Sequence, residues 1–110
     1  MKPEMRIGFF DSGIGGITVL HEALKEIPGE DYLYYADTDN APYGTRTRGE
    51  VADLVTNAVD FIIRQRVKAV VVACNTATSV AIEILRNRYS IPILGMEPAI
   101  KPAVEKNGKF

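Results

Sequence analysis

Short apolar runs alternate with stretches of helical periodicity along the chain. Met5 to Phe10 predicts a first strand, and the glycines Gly13, Gly15 and Gly16 follow it. Ile17, Leu20, Leu24 and Ile27 then recur at helical spacing, predicting a helix that stops at Pro28-Gly29. Tyr32 to Ala36, rich in aromatic residues, predicts a second strand. A polar loop, Asp37 to Thr45, carries the turn formers Asp39, Asn40, Pro42 and Gly44. Thr47 and Glu50 have capping-box spacing. The clearest helix lies behind them, over about 48–66, with Val51, Leu54, Val55, Ala58, Val59, Ile62 and Ile63 on one face. Ala69 to Ala73 is continuously apolar and β-branched, the pattern of a strand buried on both faces. Thr76, Thr78 and Ser79 are candidate caps for a third helix running to Arg88. Ile91 to Leu94 predicts a fourth strand, and Pro98 to Val104 the start of a fourth helix.

The order β-α-β-α-β-α-β predicts an α/β fold: an open, mostly parallel sheet with helices on both faces, flavodoxin-like in form. In such sheets ligands bind beyond the carboxyl ends of the strands. The polar and reactive residues fall there repeatedly. Asp11 and Ser12 follow strand one, Asp37 to Gly44 strand two, Cys74, Asn75 and Thr76 strand three, and Gly95, Met96 and Glu97 strand four.

Composition narrows the function classes. The chain has 110 residues, enough for one domain, with 46% hydrophobic and 25% charged residues, as in ordinary globular proteins. Lys plus Arg total 13 and Asp plus Glu 14, a net charge of -1 that argues against nucleic-acid binding. No apolar run approaches the roughly 20 residues of a membrane span. The charged opening, Met1 to Arg6, has no apolar stretch behind it to serve as a secretory signal. These features predict a soluble, cytoplasmic protein. The single cysteine, Cys74, excludes a disulfide framework and a cysteine-rich metal site.

Cys74 falls where a buried strand gives way to a helix, a setting in which thiols act as nucleophiles or bases. A buried cysteine also serves as a small hydrophobe. Asn75 and Thr76 offer an amide and a hydroxyl beside it, or else cap the helix. Asp11 is suited to orienting or deprotonating a neighbour and Ser12 to binding a carboxylate, and both are equally suited to capping the first helix. Gly13-Ile14-Gly15-Gly16-Ile17-Thr18 matches the dinucleotide fingerprint in part, with Thr18 in the third glycine position and Asp37 about where a ribose-binding acid would stand. A nucleotide- or phosphate-binding module is therefore the alternative of a different class. In the loop Asn40 to Gly44, Pro42 gives stiffness and Tyr43 a hydroxyl on an apolar ring, features that a plain turn with a packed tyrosine also has. His21, inside the first helix, reads as an ordinary helix residue.

The segments Ile7 to Gly16, Ala36-Asp37 with Pro42-Tyr43-Gly44, Val72 to Ala77 and Pro92 to Pro98 together resemble glutamate racemase, of the aspartate/glutamate racemase superfamily. The resemblance implies cofactor-independent interconversion of L- and D-glutamate in the cytoplasm, supplying peptidoglycan synthesis. Two cysteines on opposite sides of the substrate α-carbon would exchange its proton. It implies Cys74 as one of them, with Asp11 as its acidic neighbour. Ser12, Pro42, Tyr43, Gly44, Asn75 and Thr76 would then hold the substrate. No cofactor or metal is implied, and the full-length enzyme is expected to be a homo-oligomer, a dimer. The family's second cysteine, in a Cys-Thr-His motif, is absent from these residues, and family members are more than twice as long. Residues 1–110 are thus expected to be the N-terminal portion of a two-domain enzyme, inactive alone. An aspartate racemase-like enzyme is the alternative within the superfamily.

Overall fold

A computed structural model describes residues 5–13 and 17–96. Four strands, β1 (Arg6–Asp11), β2 (Tyr32–Ala36), β3 (Val67–Val72) and β4 (Ile93–Gly95), form one sheet in the order β2-β1-β3-β4. Every neighbouring pair is parallel. Helices α1 (Ile17–Glu26), α2 (Arg48–Arg64) and α3 (Asn75–Arg88) alternate with them. The expected helix over Pro98 to Val104 lies outside the described residues.

Strand order assigns the faces. The chain moves outward from β1 to β2, then back across β1 to β3 and on to β4. With crossovers of one hand, α1 covers one face of the sheet and α2 and α3 the other. Side-chain alternation agrees. Phe10, Val70, Val72 and Ile93 join Val55, Val59, Ile62, Ala81 and Leu85 in the main core beneath α2 and α3. Phe9 points to the opposite face and meets Tyr32 edge-on, with ring centroids 5.8 Å apart. Tyr32 in turn donates its hydroxyl to the carbonyls of Ala23 and Ile27, tying β2 to α1. This second face is less covered by the described residues: α1 buries none of its own residues, and Leu94 is 53% exposed.

Local chemistry sets the element ends. Thr47 caps α2 by accepting the Glu50 N–H, and the Glu50 carboxylate accepts the Thr47 N–H, so both halves of the capping box form. The helix stops at Arg64, slightly before the expected 66, because Arg66 turns to a positive φ of 67°. That reversal lets β3 begin at Val67, earlier than the apolar run alone predicts. Asp60 of α2 is gripped by Arg88, at 3.1 Å, and by the Tyr89 hydroxyl, which fastens α2 to the end of α3. One expectation is corrected: Thr76, Thr78 and Ser79 do not cap α3. Cys74 occupies the cap position, and its sulfur accepts the Ala77 N–H at 3.4 Å.

Candidate active site

Parallel register brings the carboxyl ends of β1, β2 and β3 level. Asp37 N–H bonds to Asp11 C=O at 2.9 Å, and Ala73 N–H to Phe10 C=O at 2.7 Å. The segments that leave the strands therefore emerge side by side, and the reactive side chains meet there. The Cys74 thiol donates to Ser12 Oγ at 3.3 Å, across 62 residues of sequence. Asp11, only 4% exposed, accepts the Ser12 N–H on Oδ1 at 2.8 Å. It also accepts the Tyr34 hydroxyl on Oδ2 at 3.2 Å. Asp11 thus belongs to the strand and to this cluster.

The loop after β2 folds around Asp37. Asn40 Nδ2 donates to both of its carboxylate oxygens, at 2.9 and 3.1 Å, and Tyr43 donates its hydroxyl to Oδ2 at 2.6 Å. Arg46 Nε closes the loop on Asn40 C=O at 2.9 Å. The Ala41–Pro42 peptide is cis. Tyr43 is buried against Phe10, with Pro42 and Gly44 exposed on either side. The Asp37 carboxylate, the candidate ribose-binding acid of the nucleotide alternative, accepts hydrogen bonds from within its own loop.

Electrostatics tie these groups together. Burial pushes the Tyr43 hydroxyl well above the usual tyrosine range, helped by the hydrogen bond to Asp37 and the charges of Asp37, Cys74 and Tyr35. Burial, then the charge and hydrogen bond of Asp11, raise Tyr34 from 10.0 to about 12. Both phenols stay protonated donors at neutral pH. Asn75 and Thr76 open α3 directly behind Cys74, Asn75 exposed and Thr76 half-buried. His21 is exposed on α1. Among the described residues no group of three or more His, Cys, Asp or Glu is arranged to hold a metal ion, and no helix is long and apolar enough to cross a membrane.

Two participants take roles that residue type and spacing do not give them. Tyr34 reads as sheet packing, yet it pairs with Phe9, and alternation puts it on the face of Asp11, two residues further along β1. Asp37, a candidate ribose-binding acid and part of the racemase-like segments, organises the Tyr43 loop instead; an acid three and six residues before an Asn and a Tyr is the available signal.

A chain with this cluster can be compared with known proteins. It is 63% identical over 103 residues to a glutamate racemase of Halothermothrix orenii, an alignment covering 94% of this chain and 41% of that protein. The chain's relatives are glutamate racemases. Glutamate racemase 2 of Bacillus subtilis is 59% identical over 102 residues, covering 93% of this chain and 38% of the relative. The chain thus spans about two fifths of the length of the curated relatives it matches. Solved structures agree. Glutamate racemase RacE1 of Bacillus anthracis superposes with a TM-score of 0.82 at 40% identity, over 84% of this chain and 35% of that one. The Francisella tularensis glutamate racemase, solved with D-glutamate, gives 0.80 at 36% identity, over 84% and 36%. No family model matches the chain.

Proposed function

We propose that these 110 residues are the N-terminal portion of a glutamate racemase and carry one half of its active site. The observation that carries the proposal is the contact between the Cys74 thiol and Ser12 Oγ beside buried Asp11, in a chain 63% identical to a glutamate racemase. Cys74, as thiolate, takes the α-proton of glutamate: an S–H bond forms, the Cα–H bond breaks, and the electron pair moves into the substrate carboxylate. Asp11 and Ser12 manage the thiol proton, because Ser12 Oγ can accept from S–H or donate to the sulfur while Asp11 holds the Ser12 backbone. Asn75 and Thr76, with the backbone of Pro42, Tyr43 and Gly44, bind the substrate's amino and carboxylate groups, the Tyr43 hydroxyl being held by Asp37. Donors aimed at the carboxylate stabilise the charge that develops there.

Inversion needs a second acid on the opposite face of the carbon, since one base returning its own proton preserves configuration. Cys74 is the only cysteine in these residues, so the partner thiol comes from the remainder of the enzyme. The reaction needs no cofactor, is carried out in the cytoplasm by a homodimeric enzyme, and supplies D-glutamate for peptidoglycan.

The test is a chimaera joining this chain to the remaining part of the Halothermothrix orenii racemase, assayed for D-glutamate formed from L-glutamate. The chimaera is expected to racemise glutamate, Cys74→Ser to lower the rate about 100-fold or more, and the 110 residues alone to be inactive. Racemisation by the chain alone, or full activity of the Cys74→Ser chimaera, overturns the reading. Faster turnover of aspartate than of glutamate transfers it to the aspartate racemases.

A further inference from the structure

We infer that Thr78 is a positioning residue that sets the spacing of the β3 and β4 ends beside Cys74 by inserting its hydroxyl between them. The two strands are parallel, with Val70 opposite Ile93 and Val72 opposite Gly95. Val70 N–H donates to Pro92 C=O at 3.0 Å. Continuing that ladder, the next rung past the Val72–Gly95 pair runs from Met96 N–H to Val72 C=O. The Thr78 side chain stands in that rung. Met96 N–H donates to Thr78 Oγ1 at 3.0 Å, and Thr78 Oγ1 donates to Val72 C=O at 3.3 Å. One hydroxyl thus relays a hydrogen bond that the backbone would otherwise make directly, and the strands part where they reach the site.

Two further observations make this a built wedge. Thr78 is 3% exposed, and its own N–H donates to Cys74 C=O at 2.9 Å, so the same residue fixes the start of α3 and the exit from β4. Gly95 leaves the room it needs: a Cβ there would lie 2.6 Å from the Thr78 methyl and 3.3 Å from its hydroxyl. Without the hydroxyl, the direct rung re-forms and draws Met96 toward Val72, two residues before Cys74.

The inference rests on the racemase reading only for what binds beside Cys74; its test needs no turnover. Because Cys74 is the sole cysteine, its alkylation by iodoacetamide and by a bulky aryl maleimide, taken as a ratio, gauges the room beside the β3 and β4 ends. Thr78→Val is expected to lower the maleimide-to-iodoacetamide rate ratio about fivefold, the factor carried by one hydrogen bond. Thr78→Ser keeps the hydroxyl and is expected to keep the native ratio. General loosening would raise both rates and leave no such rescue by serine. A Thr78→Val ratio equal to native overturns the inference. Should Thr78→Val not fold, Gly95→Ala decides. It is expected to lower the melting temperature through collision with the Thr78 methyl, and Thr78→Ser, which removes that methyl, is expected to restore it. Failure of serine to restore it overturns the wedge.

Discussion

Tyr43→Phe removes one oxygen atom and leaves the ring where it is. The ring is 2% exposed and packs on Phe10 with centroids 6.1 Å apart, so its burial is unchanged. What is lost is the 2.6 Å donation to Asp37 Oδ2. Hydrogen bonds to charged groups are worth about 1.5–3 kcal/mol. Asp37 is only half-buried and keeps both contacts from Asn40, which selects the lower end, about 1.5 kcal/mol. For a domain of this size that corresponds to a fall in Tm of about 6–12 °C. The loss also depends on pH. The folded-state pKa of Tyr43 is raised above the ordinary 10.0, so the unfolded chain releases this proton first. The contribution is complete below pH 10 and shrinks as pH rises above it. Urea denaturation of the native chain and Tyr43→Phe, at neutral pH and at alkaline pH, measures both effects. A loss under about 0.5 kcal/mol at neutral pH refutes the account, as does an equal loss in an Asp37→Ala background, where the partner is missing.

The same physics yields two smaller predictions. Gly8→Ala places a Cβ 2.6 Å from Ile62 Cγ2 and 3.3 Å from Val67 Cγ1. It should destabilise by about 1–3 kcal/mol in chemical denaturation, with Ile62→Leu, which deletes that methyl, recovering part of the loss. Tyr34 is raised to about 12 in the folded chain, so its stabilising share persists below pH 10 and is lost as pH rises toward about 12. Tyr34→Phe should flatten the pH dependence of the urea midpoint in that window, and an unchanged slope would remove Asp11 and burial as its cause.

Much of the fold was legible because its signals are local. The expected second strand, Tyr32 to Ala36, matches β2, and the Thr47–Glu50 spacing matches a formed capping box. Boundaries moved where a tertiary requirement intervened. The left-handed turn at Arg66 shortens α2, and Ile91 and Pro92 stay outside β4. At the candidate site, Asp11, Ser12 and Cys74 were each visible as polar residues at strand ends, and the structure joins them in one hydrogen-bonded chain. The partners of Tyr34 and Thr78 are not legible in the sequence, because residue type and spacing do not reveal which atom a hydroxyl faces.

The amino-acid sequence by itself determined the alternation of strand and helix, and with it the edge of the sheet where polar loops collect, since both follow from periodicity and chain connectivity. Tertiary structure alone decided that Cys74, rather than a threonine, caps α3 and that its thiol meets Ser12 across 62 residues. It alone decided that Tyr43 turns inward to Asp37 and that Thr78 enters the rung between β3 and β4. These contacts depend on the relative placement of elements distant in sequence. A buried hydroxyl or thiol takes whichever partner the folded chain brings within reach, because leaving it unpaired costs more than any local preference.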